Sequence, residues 1–183
     1  MVKDEFQQAI LDYNEATKLD PTHAYAFNNW GNALTRIGQL DRAILDFNQA
    51  IRLVRNDDAP VFNRGNAKSA KKQLDFSIED YSAALRLNAD NQAAYNNRGN
   101  TYPQIGQYDK AIQDFDNALL LDPDGAFTYY NRSVAYAGKR QFSKATQDYS
   151  EAIQHDPSHA NSVNSRGRTN FLAGNLDAGV TDF

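Results

Sequence analysis

The chain has 183 residues, and its hydrophobic fraction of 41% and charged fraction of 23% are those of a folded protein with room for a sizeable core. Its net charge of −4, without a long basic block, makes nucleic acid a poor candidate partner, because phosphate binding needs clustered lysine and arginine. The absence of cysteine excludes disulfides and thiol catalysis. No apolar run could span a bilayer or act as a signal peptide, which favours a cytoplasmic protein without a membrane partner.

An aspartate followed by an aromatic residue recurs every 34 residues along the whole chain. An alanine follows each of the first five aromatics by three residues, and an Asn-Arg-Gly-like element precedes the pair in each full repeat. A fixed period of this length is typical of proteins built from stacked helical repeats. The pairs are Asp12-Tyr13, Asp46-Phe47, Asp80-Tyr81, Asp114-Phe115, Asp148-Tyr149 and Asp182-Phe183.

In chain order, the period predicts that residues 1–23 hold the second helix of an incomplete repeat. Four full repeats of two helices follow, at 24–57, 58–91, 92–125 and 126–159, and residues 160–183 form a partial repeat. Apolar residues at helical spacing, such as Ala43, Ile44 and Phe47, support a helix in each half. The chain therefore begins and ends within a repeat. From this we expect a piece of a longer protein, or ends that are covered by another copy.

A short turn separates the two predicted helices of each repeat. Glycine in three of the turns tolerates the left-handed conformation that ends a helix. Pro103 lies late in a first helix, and we expect it to kink that helix without breaking it. The turns are Gly38-Gln39, Lys72-Gln73, Gly106-Gln107, Arg140-Gln141 and Gly174-Asn175.

A single helical hairpin cannot bury both of its apolar faces, whereas stacked hairpins can, and the product is a solenoid. Small residues recur where the helices must approach closely, and the neighbouring aromatics are expected to fill the space between repeats. The small residues are Gly31, Gly65, Gly99, Ala50, Ala84, Ala118 and Ala152.

These columns resemble the tetratricopeptide repeat family in their 34-residue period, in a Gly-x-x-Tyr step such as Gly99 to Tyr102, in an Ala-x-x-x-Phe/Tyr step such as Ala111 to Phe115, and in the proline that closes several repeats. The resemblance covers essentially the whole chain. It implies an all-α fold, a right-handed superhelical solenoid of stacked helix-turn-helix hairpins, as a single array over residues 1–183.

Arginine and aspartate form two further columns at the same period. Each arginine is expected to pair with an aspartate of its own or the preceding hairpin, and a row of anion-binding sites is the alternative. The arginines are Arg64, Arg98, Arg132 and Arg166.

Asparagines and aromatics dominate the first helix of each repeat, and the family resemblance implies that these helices line a concave groove. An asparagine side chain can donate to a peptide carbonyl and accept from a peptide N–H, so a row of them could hold an extended backbone. The alternative is that they cap helices or bond to water and loops. The predicted peptide-binding residues are Asn28, Asn29, Asn32, Phe62, Asn63, Asn66, Asn96, Asn97, Asn100, Phe127, Tyr130 and Asn131.

Some members of the family clamp a C-terminal carboxylate with two lysines, an arginine and two asparagines. The asparagines are matched here by Asn32 with Asn63, or by Asn66 with Asn97, but other residues stand where the clamp has its cations. The sequence therefore predicts a groove that prefers neutral or mixed peptide segments.

No catalytic site, metal site or cofactor is predicted. His155 and His159 have the spacing of a helical metal pair, but Pro157 separates them, and an exposed loop is expected instead. No phosphate-binding glycine loop or nucleophile motif occurs.

The leading hypothesis is a non-catalytic scaffold for a protein or peptide partner. A second hypothesis is self-assembly into a homo-oligomer through the terminal helices, with Phe6, Ile10 and Tyr13 at one end and Phe171, Leu176 and Val180 at the other. A third is that the repeats select substrates for a larger enzyme.

Overall fold

The computed structural model describes Glu15 and residues 19–174, and this part of the chain contains helices and no strand. None of the described helices is both long enough and apolar enough to cross a bilayer. The elements are α1 (Ala24–Arg36), α2 (Leu40–Leu53), α3 (Asp58–Ala70), α4 (Leu74–Leu87), α5 (Gln92–Thr101), a 3₁₀ helix (Tyr102–Ile105), α6 (Tyr108–Leu121), α7 (Ala126–Gly138), α8 (Phe142–His155) and α9 (Ala160–Leu172).

The predicted period is confirmed by the helix starts. First helices begin at residues 24, 58, 92, 126 and 160, and second helices begin at 40, 74, 108 and 142. Every interval within each series is 34 residues. The predicted helix within 1–23 and the predicted start of a second helix after Gly174 lie almost wholly outside the described residues.

The chain divides into two compact units, Met1–Ala94 and Tyr95–Phe183, which we call unit 1 and unit 2. In unit 1, helices α1 to α4 each pack against the next, and α1 also contacts α3. In unit 2, α7 packs between α6 and α8, and α9 packs on α8. Each unit is therefore a stack of helical hairpins. A single array over 1–183 stays a prediction.

The turns within the hairpins share one backbone conformation. Glycine provides it at Gly38, Gly106 and Gly174, where φ is 79°, 75° and 83°. Lys72 and Arg140 adopt the same left-handed conformation with φ of 62° and 58°, although neither is glycine. The left-handed conformation thus belongs to this position of the repeat and does not depend on the residue type. Lys72 and Arg140 carry backbone strain there that glycine avoids.

The predicted close approach of helices at these glycines is confirmed within the hairpins, where aromatic rings of the second helices pack on glycines of the first helices. A β-carbon added to Gly31 would lie 2.6 Å from the ring of Phe47, and one added to Gly65 would lie 2.8 Å from the ring of Tyr81. Both rings are almost fully buried. Because such distances are well inside van der Waals contact, a side chain at Gly31 or Gly65 would force the ring to shift. The conserved geometry places α1 and α3 close to their own second helices.

Pro103 changes the helix differently from the expected kink. Helix α5 ends at Thr101, and the chain tightens into the 3₁₀ helix that contains Pro103. The N–H of Gly106 then bonds the carbonyl of Pro103 at 3.1 Å. The hairpin survives because the proline lies in the last turn, where i→i+3 bonds replace the lost α-helical bond.

Candidate functional site

The predicted peptide-binding residues all lie on first helices of the repeats. In unit 1 they lie on α1 and α3, and in unit 2 on α5 and α7. We call these two surfaces the first-helix face of unit 1 and the first-helix face of unit 2. Asn29 and Asn100 are exposed, whereas most of the other asparagines are half-buried.

The first-helix face of unit 1 joins asparagines from two successive repeats. The Asn63 amide on α3 donates to the Asn28 amide oxygen on α1 at 3.0 Å. This bond uses the carbonyl of one amide and one N–H of the other. The other polar groups of the two side chains are the N–H donors of Asn28 and the carbonyl acceptor of Asn63. A peptide unit needs one donor and one acceptor of this kind.

An open depression of about 310 Å³ lies on the same face. Three predicted residues line it, Asn32, Asn63 and Asn66, together with Thr35 and Arg36, which sequence analysis did not include. The sequence signal for Arg36 is that it breaks the repeat: the equivalent positions of later repeats hold Ala70, Gln104, Gly138 and Leu172. An arginine found in one repeat only is not part of the shared packing.

The amide of Asn66 is oriented by a buried tyrosine. The Tyr81 hydroxyl donates to the Asn66 amide oxygen at 2.9 Å, and burial raises the pKa of Tyr81 to about 12. The hydroxyl therefore keeps its proton and remains a donor at physiological pH. Since the carbonyl of Asn66 is held on this side, its N–H₂ group is directed away from Tyr81.

Phe62, also predicted for the peptide site, takes part in packing instead of standing free. Its ring lies 5.9 Å from the ring of Tyr81 at an interplanar angle of 47°. Phe62 is half-buried by this contact. Only part of its ring is therefore accessible to a ligand.

On the first-helix face of unit 2, Thr128 of α7 donates to the Asn96 amide oxygen of α5 at 3.0 Å. Phe127 is 68% exposed. The ring of Tyr130 packs 5.9 Å from that of Tyr149. This face thus combines a hydrogen bond between α5 and α7 with one large exposed aromatic side chain.

The expectation that His159 lies in an exposed loop is wrong. Its side chain is buried, with its ring 5.0 Å from the rings of both Phe127 and Tyr130. Its Nδ1 lies 2.6 Å from the Ser162 hydroxyl. The histidine precedes α9 and packs back on α7, a tertiary contact that local sequence does not reveal. Two predicted groove aromatics are therefore held partly by this imidazole.

The predicted pairing of arginine with aspartate is confirmed in three repeats. Arg64 donates to both carboxylate oxygens of Asp80, at 2.9 and 2.6 Å. Arg98 binds Asp114 in the same way, at 2.8 and 2.7 Å. Each pair lies within one hairpin and joins its two helices. Asp80 is 4% exposed and Asp114 is 3% exposed, so the pairs are largely shielded from water.

Arg132 extends the pattern to the preceding hairpin. It binds both oxygens of Asp148 in its own hairpin, and its Nη1 donates to Asp116 of the hairpin before it, at 2.6 Å. Arg166 donates to Ser150 at 3.1 Å, and its predicted partner Asp182 lies outside the described residues. Arg64, Arg98 and Arg132 therefore serve the stack and do not form a row of anion sites.

The pair of Arg98 and Asp114 remains charged despite its burial. Burial opposes the charge of Arg98, but the hydrogen bond and negative charge of Asp114 raise the pKa of the arginine overall. Burial raises the pKa of Asp114, and Arg98 offsets this only in part. Direct bidentate contact favours the ionised form of both groups, so we treat the pair as a salt bridge at neutral pH.

The first full repeat has a tryptophan where the others have arginine. Without an arginine across from it, Asp46 has a pKa raised to about 6, because burial outweighs the positive charge of Arg42. The indole N–H of Trp30 is buried and has no hydrogen-bond partner among the described residues. This hairpin therefore lacks the salt bridge that joins the helices of the next three.

The described residues contain no group of three histidine, cysteine, aspartate or glutamate side chains that could hold a metal ion. His155 instead stacks on Tyr129, with ring centroids 5.5 Å apart, and lies 3.5 Å from an oxygen of Asp124. His155 and His159 thus contact different neighbours.

Four family models match the chain. Models described as tetratricopeptide repeat match residues 3–59, 93–124 and 126–159, and one described as TPR repeat matches residues 65–106. Together they cover most of the chain. Among curated proteins, none matches this chain in sequence.

Several solved structures share the fold. MamA is 24% identical, with 87% of this chain and 94% of MamA aligned at a TM-score of 0.80. YrrB, whose structure is described as a TPR protein with an unusual peptide-binding site, is 18% identical, with 93% and 88% aligned at 0.78. PilF of Pseudomonas aeruginosa is 16% identical, with 98% and 82% aligned at 0.84. At these identities the likeness shows the fold alone: an all-α solenoid of helical hairpins.

Proposed function

Because this chain belongs to the tetratricopeptide repeat family, we propose that it is a non-catalytic protein-interaction scaffold that binds an extended peptide segment of a partner on its first-helix faces. The proposal is supported by the side chains of those faces. They are amides and aromatics. The described residues that we assign to the site do not include a nucleophile with an adjacent base and acid.

The observation that carries the proposal is the bond between Asn63 and Asn28 beside the depression of unit 1. The two amides come from successive repeats and fix each other's orientation. A bound backbone would meet side chains that are already ordered, so less conformational entropy is lost on binding. Backbone recognition by amides also leaves the ligand's side chains largely unspecified.

Exposed aromatics supply the apolar part of the same faces. Tyr25 on α1 and Phe127 on α7 are both 68% exposed and occupy equivalent positions of their repeats. Rigid aromatic side chains contribute contact area at a low entropic cost.

The test replaces one asparagine from each of three first helices. We expect Asn63→Ala, Asn97→Ala and Asn131→Ala together to abolish most binding to peptides selected from a random peptide array, with helical content by circular dichroism unchanged. The matched control is the triple variant Gln113→Ala, Gln147→Ala and Gln154→Ala, which removes three exposed amides from second helices. Equal binding by both triple variants would reject the first-helix faces as the site.

The self-assembly hypothesis stays a prediction. Most of the residues that it names, including Phe6, Tyr13 and Val180, lie outside the described residues. Phe171, which is described, is 63% exposed. The hypothesis that these repeats select substrates for a larger enzyme also stays a prediction.

A further inference from the structure

We propose that unit 2 carries a docking surface for a second copy of this chain, in which a basic edge of one copy binds an acidic edge of the other. The contact uses neither the first-helix faces nor the terminal helices of the self-assembly hypothesis. It does not depend on the proposed function.

The two edges are opposite ends of the packed helices of unit 2. Helix α7 packs between α6 and α8 and runs antiparallel to both. At one end Lys139 binds Asp109, so the turn between α7 and α8 lies beside the start of α6. At the other end His155 lies 3.5 Å from Asp124, so the end of α8 lies beside the loop after α6. Helices of 13 or 14 residues separate the two edges by about 20 Å.

The first end, which we call the turn edge, is basic. Asp109 is the acidic residue at this end, and it pairs with Lys139. The ammonium of Lys110 lies 5.5 Å from the ring centroid of Tyr102, and that of Lys144 lies 5.4 Å from the ring centroid of Tyr136. Both lysines are exposed, so their charges are oriented by the rings and still face solvent. The cations of the turn edge are Lys110, Lys139, Arg140 and Lys144.

The opposite end, which we call the loop edge, is acidic. Its two loops, residues 122–125 and 156–159, contain no lysine or arginine. The side chain of Asp124 is 87% exposed. The hydroxyl and N–H of Ser158 both donate to Asp156, and these bonds lower the pKa of that carboxyl, so it is ionised at neutral pH. The acidic residues of the loop edge are Asp122, Asp124, Glu151 and Asp156.

Arg140 is the cation that the packing of the repeat does not explain. It is exposed and has φ of 58°, whereas Gly106 and Gly174 occupy the same position of the neighbouring turns. In unit 1 the other strained turn residue, Lys72, is also a cation. Backbone strain of this kind is found where a residue has a use besides folding. The turn edge therefore keeps a positive charge at a position where glycine would cost less.

A second copy of the chain supplies the charge that the turn edge lacks. Exposed ion pairs are individually weak, so the contact depends on several of them forming together along the two edges. The whole chain carries a net charge of −4, so two copies repel unless opposite charges meet. Joining a turn edge to a loop edge brings opposite charges together, in a head-to-tail contact that leaves one edge of each copy for the next.

The dependence on salt distinguishes this contact from an apolar one. Added salt screens the attraction between the two edges and should weaken association. An apolar contact between terminal helices would respond in the opposite direction, because salt also screens the repulsion between two negatively charged copies.

The experiment measures self-association of the full chain by sedimentation velocity over a concentration series, at about 50 mM and about 300 mM NaCl. The turn-edge variant is Arg140→Glu with Lys144→Glu, and the loop-edge variant is Asp124→Lys with Glu151→Lys. The matched control is Arg52→Glu with Arg86→Glu, which makes the same change of charge at exposed arginines of unit 1. Circular dichroism checks that each variant is folded.

We expect the association constant of the native chain to fall about tenfold at the higher salt. At low salt each edge variant should lose about the same factor, the control should lose less, and an equimolar mixture of the two edge variants should regain native association. Arg140→Gly should also weaken association although it relieves strain in the turn, which a merely structural role would not produce.

Three results would overturn the inference and leave the proposed function standing. One is a native chain that stays monomeric at low salt. Another is association that salt does not weaken. The third is a loss in the turn-edge variant without a loss in the loop-edge variant, which would assign the turn edge to a different acidic partner.

Discussion

Lys72 and Arg140 adopt a backbone conformation that costs an L-amino acid about 1–2 kcal/mol and costs glycine little. Glycine occupies the same position in the turns at Gly38 and Gly106. The side chains of both cationic residues are exposed.

We therefore expect Lys72→Gly and Arg140→Gly each to raise the free energy of unfolding by about 0.5–1 kcal/mol, since relief of strain exceeds the entropic cost of glycine. Urea denaturation measures the change. The reciprocal variant Gly38→Ala should lower stability by a similar amount. A loss of stability in both glycine variants would contradict the strained-turn account.

Asp46 belongs to the repeat that has Trp30 at the position where later repeats have arginine. Its pKa is raised to about 6 in the fold, above its ordinary value of 3.8, so the fold favours the protonated form. The stability that this preference provides is present below pH 4 and is lost as the pH rises through about 6.

We expect Asp46→Asn to stabilise the protein at pH 7 by about 1 kcal/mol, a figure reduced for the partial exposure of this carboxyl. The difference should fade toward pH 4. Asp80→Asn, at the equivalent position opposite Arg64, should instead destabilise the protein at pH 7. Thermal unfolding of both variants at the two pH values checks the sign, and a stabilising Asp80→Asn would refute it.

At the scale of the helical hairpin, the bidentate pair joins the first helix to the second. Removing Asp80 leaves two partly buried cations: the guanidinium of Arg64, with Asn48 as its other side-chain partner, and the ammonium of Lys68, which lies 2.7 Å from Asp80. The cost comes mainly from these uncompensated charges and less from the lost attraction itself.

We expect Asp80→Ala to lower the free energy of unfolding by about 3 kcal/mol. Glu79→Ala, one residue away on the exposed side of α4, should change it by less than about 0.5 kcal/mol. Urea denaturation of the two variants provides the comparison. Equal small effects would mean that the Arg–Asp pair contributes nothing to stability.

The alanines of the second helices define how closely neighbouring elements pack. Ala84 and Ala118 have no exposed surface, and each lies three residues after a buried aromatic. We expect Ala84→Leu and Ala118→Leu to overpack this seam and to cost about 1–3 kcal/mol each. Ala83→Leu, beside Ala84 but half-buried, is the matched control. Unchanged thermal unfolding of both core variants would exclude this packing.

At the scale of the whole molecule, periodicity made most of the fold predictable. The helix starts, the left-handed turns and the pairing of Arg64 with Asp80 all recur at one interval, so a single repeat predicts the others. The two features that the sequence did not predict are each specific to one repeat. His159 is buried by rings from another helix, and Arg36 lines a depression through the juxtaposition of α1 with α3. Such contacts depend on tertiary packing and leave no periodic signal.

The peptide site was predictable as a set of positions but not as a set of contacts. The columns placed Asn28 and Asn63 on first helices, yet their spacing of 35 residues does not say that the two amides bond each other. Likewise, Phe62 was expected to face a ligand. It contacts Tyr81 instead, because the Tyr81 ring of the second helix lies over Gly65.

The measurement that tests the central claim most directly is a nuclear magnetic resonance titration of the isotope-labelled full chain with a peptide selected from a random array. Backbone amide shifts should change mainly in α1 and α3 or in α5 and α7, and the side-chain amides of asparagines on those helices should shift with them. Changes concentrated in α2, α4, α6 and α8 would place the ligand on the second helices and contradict the account.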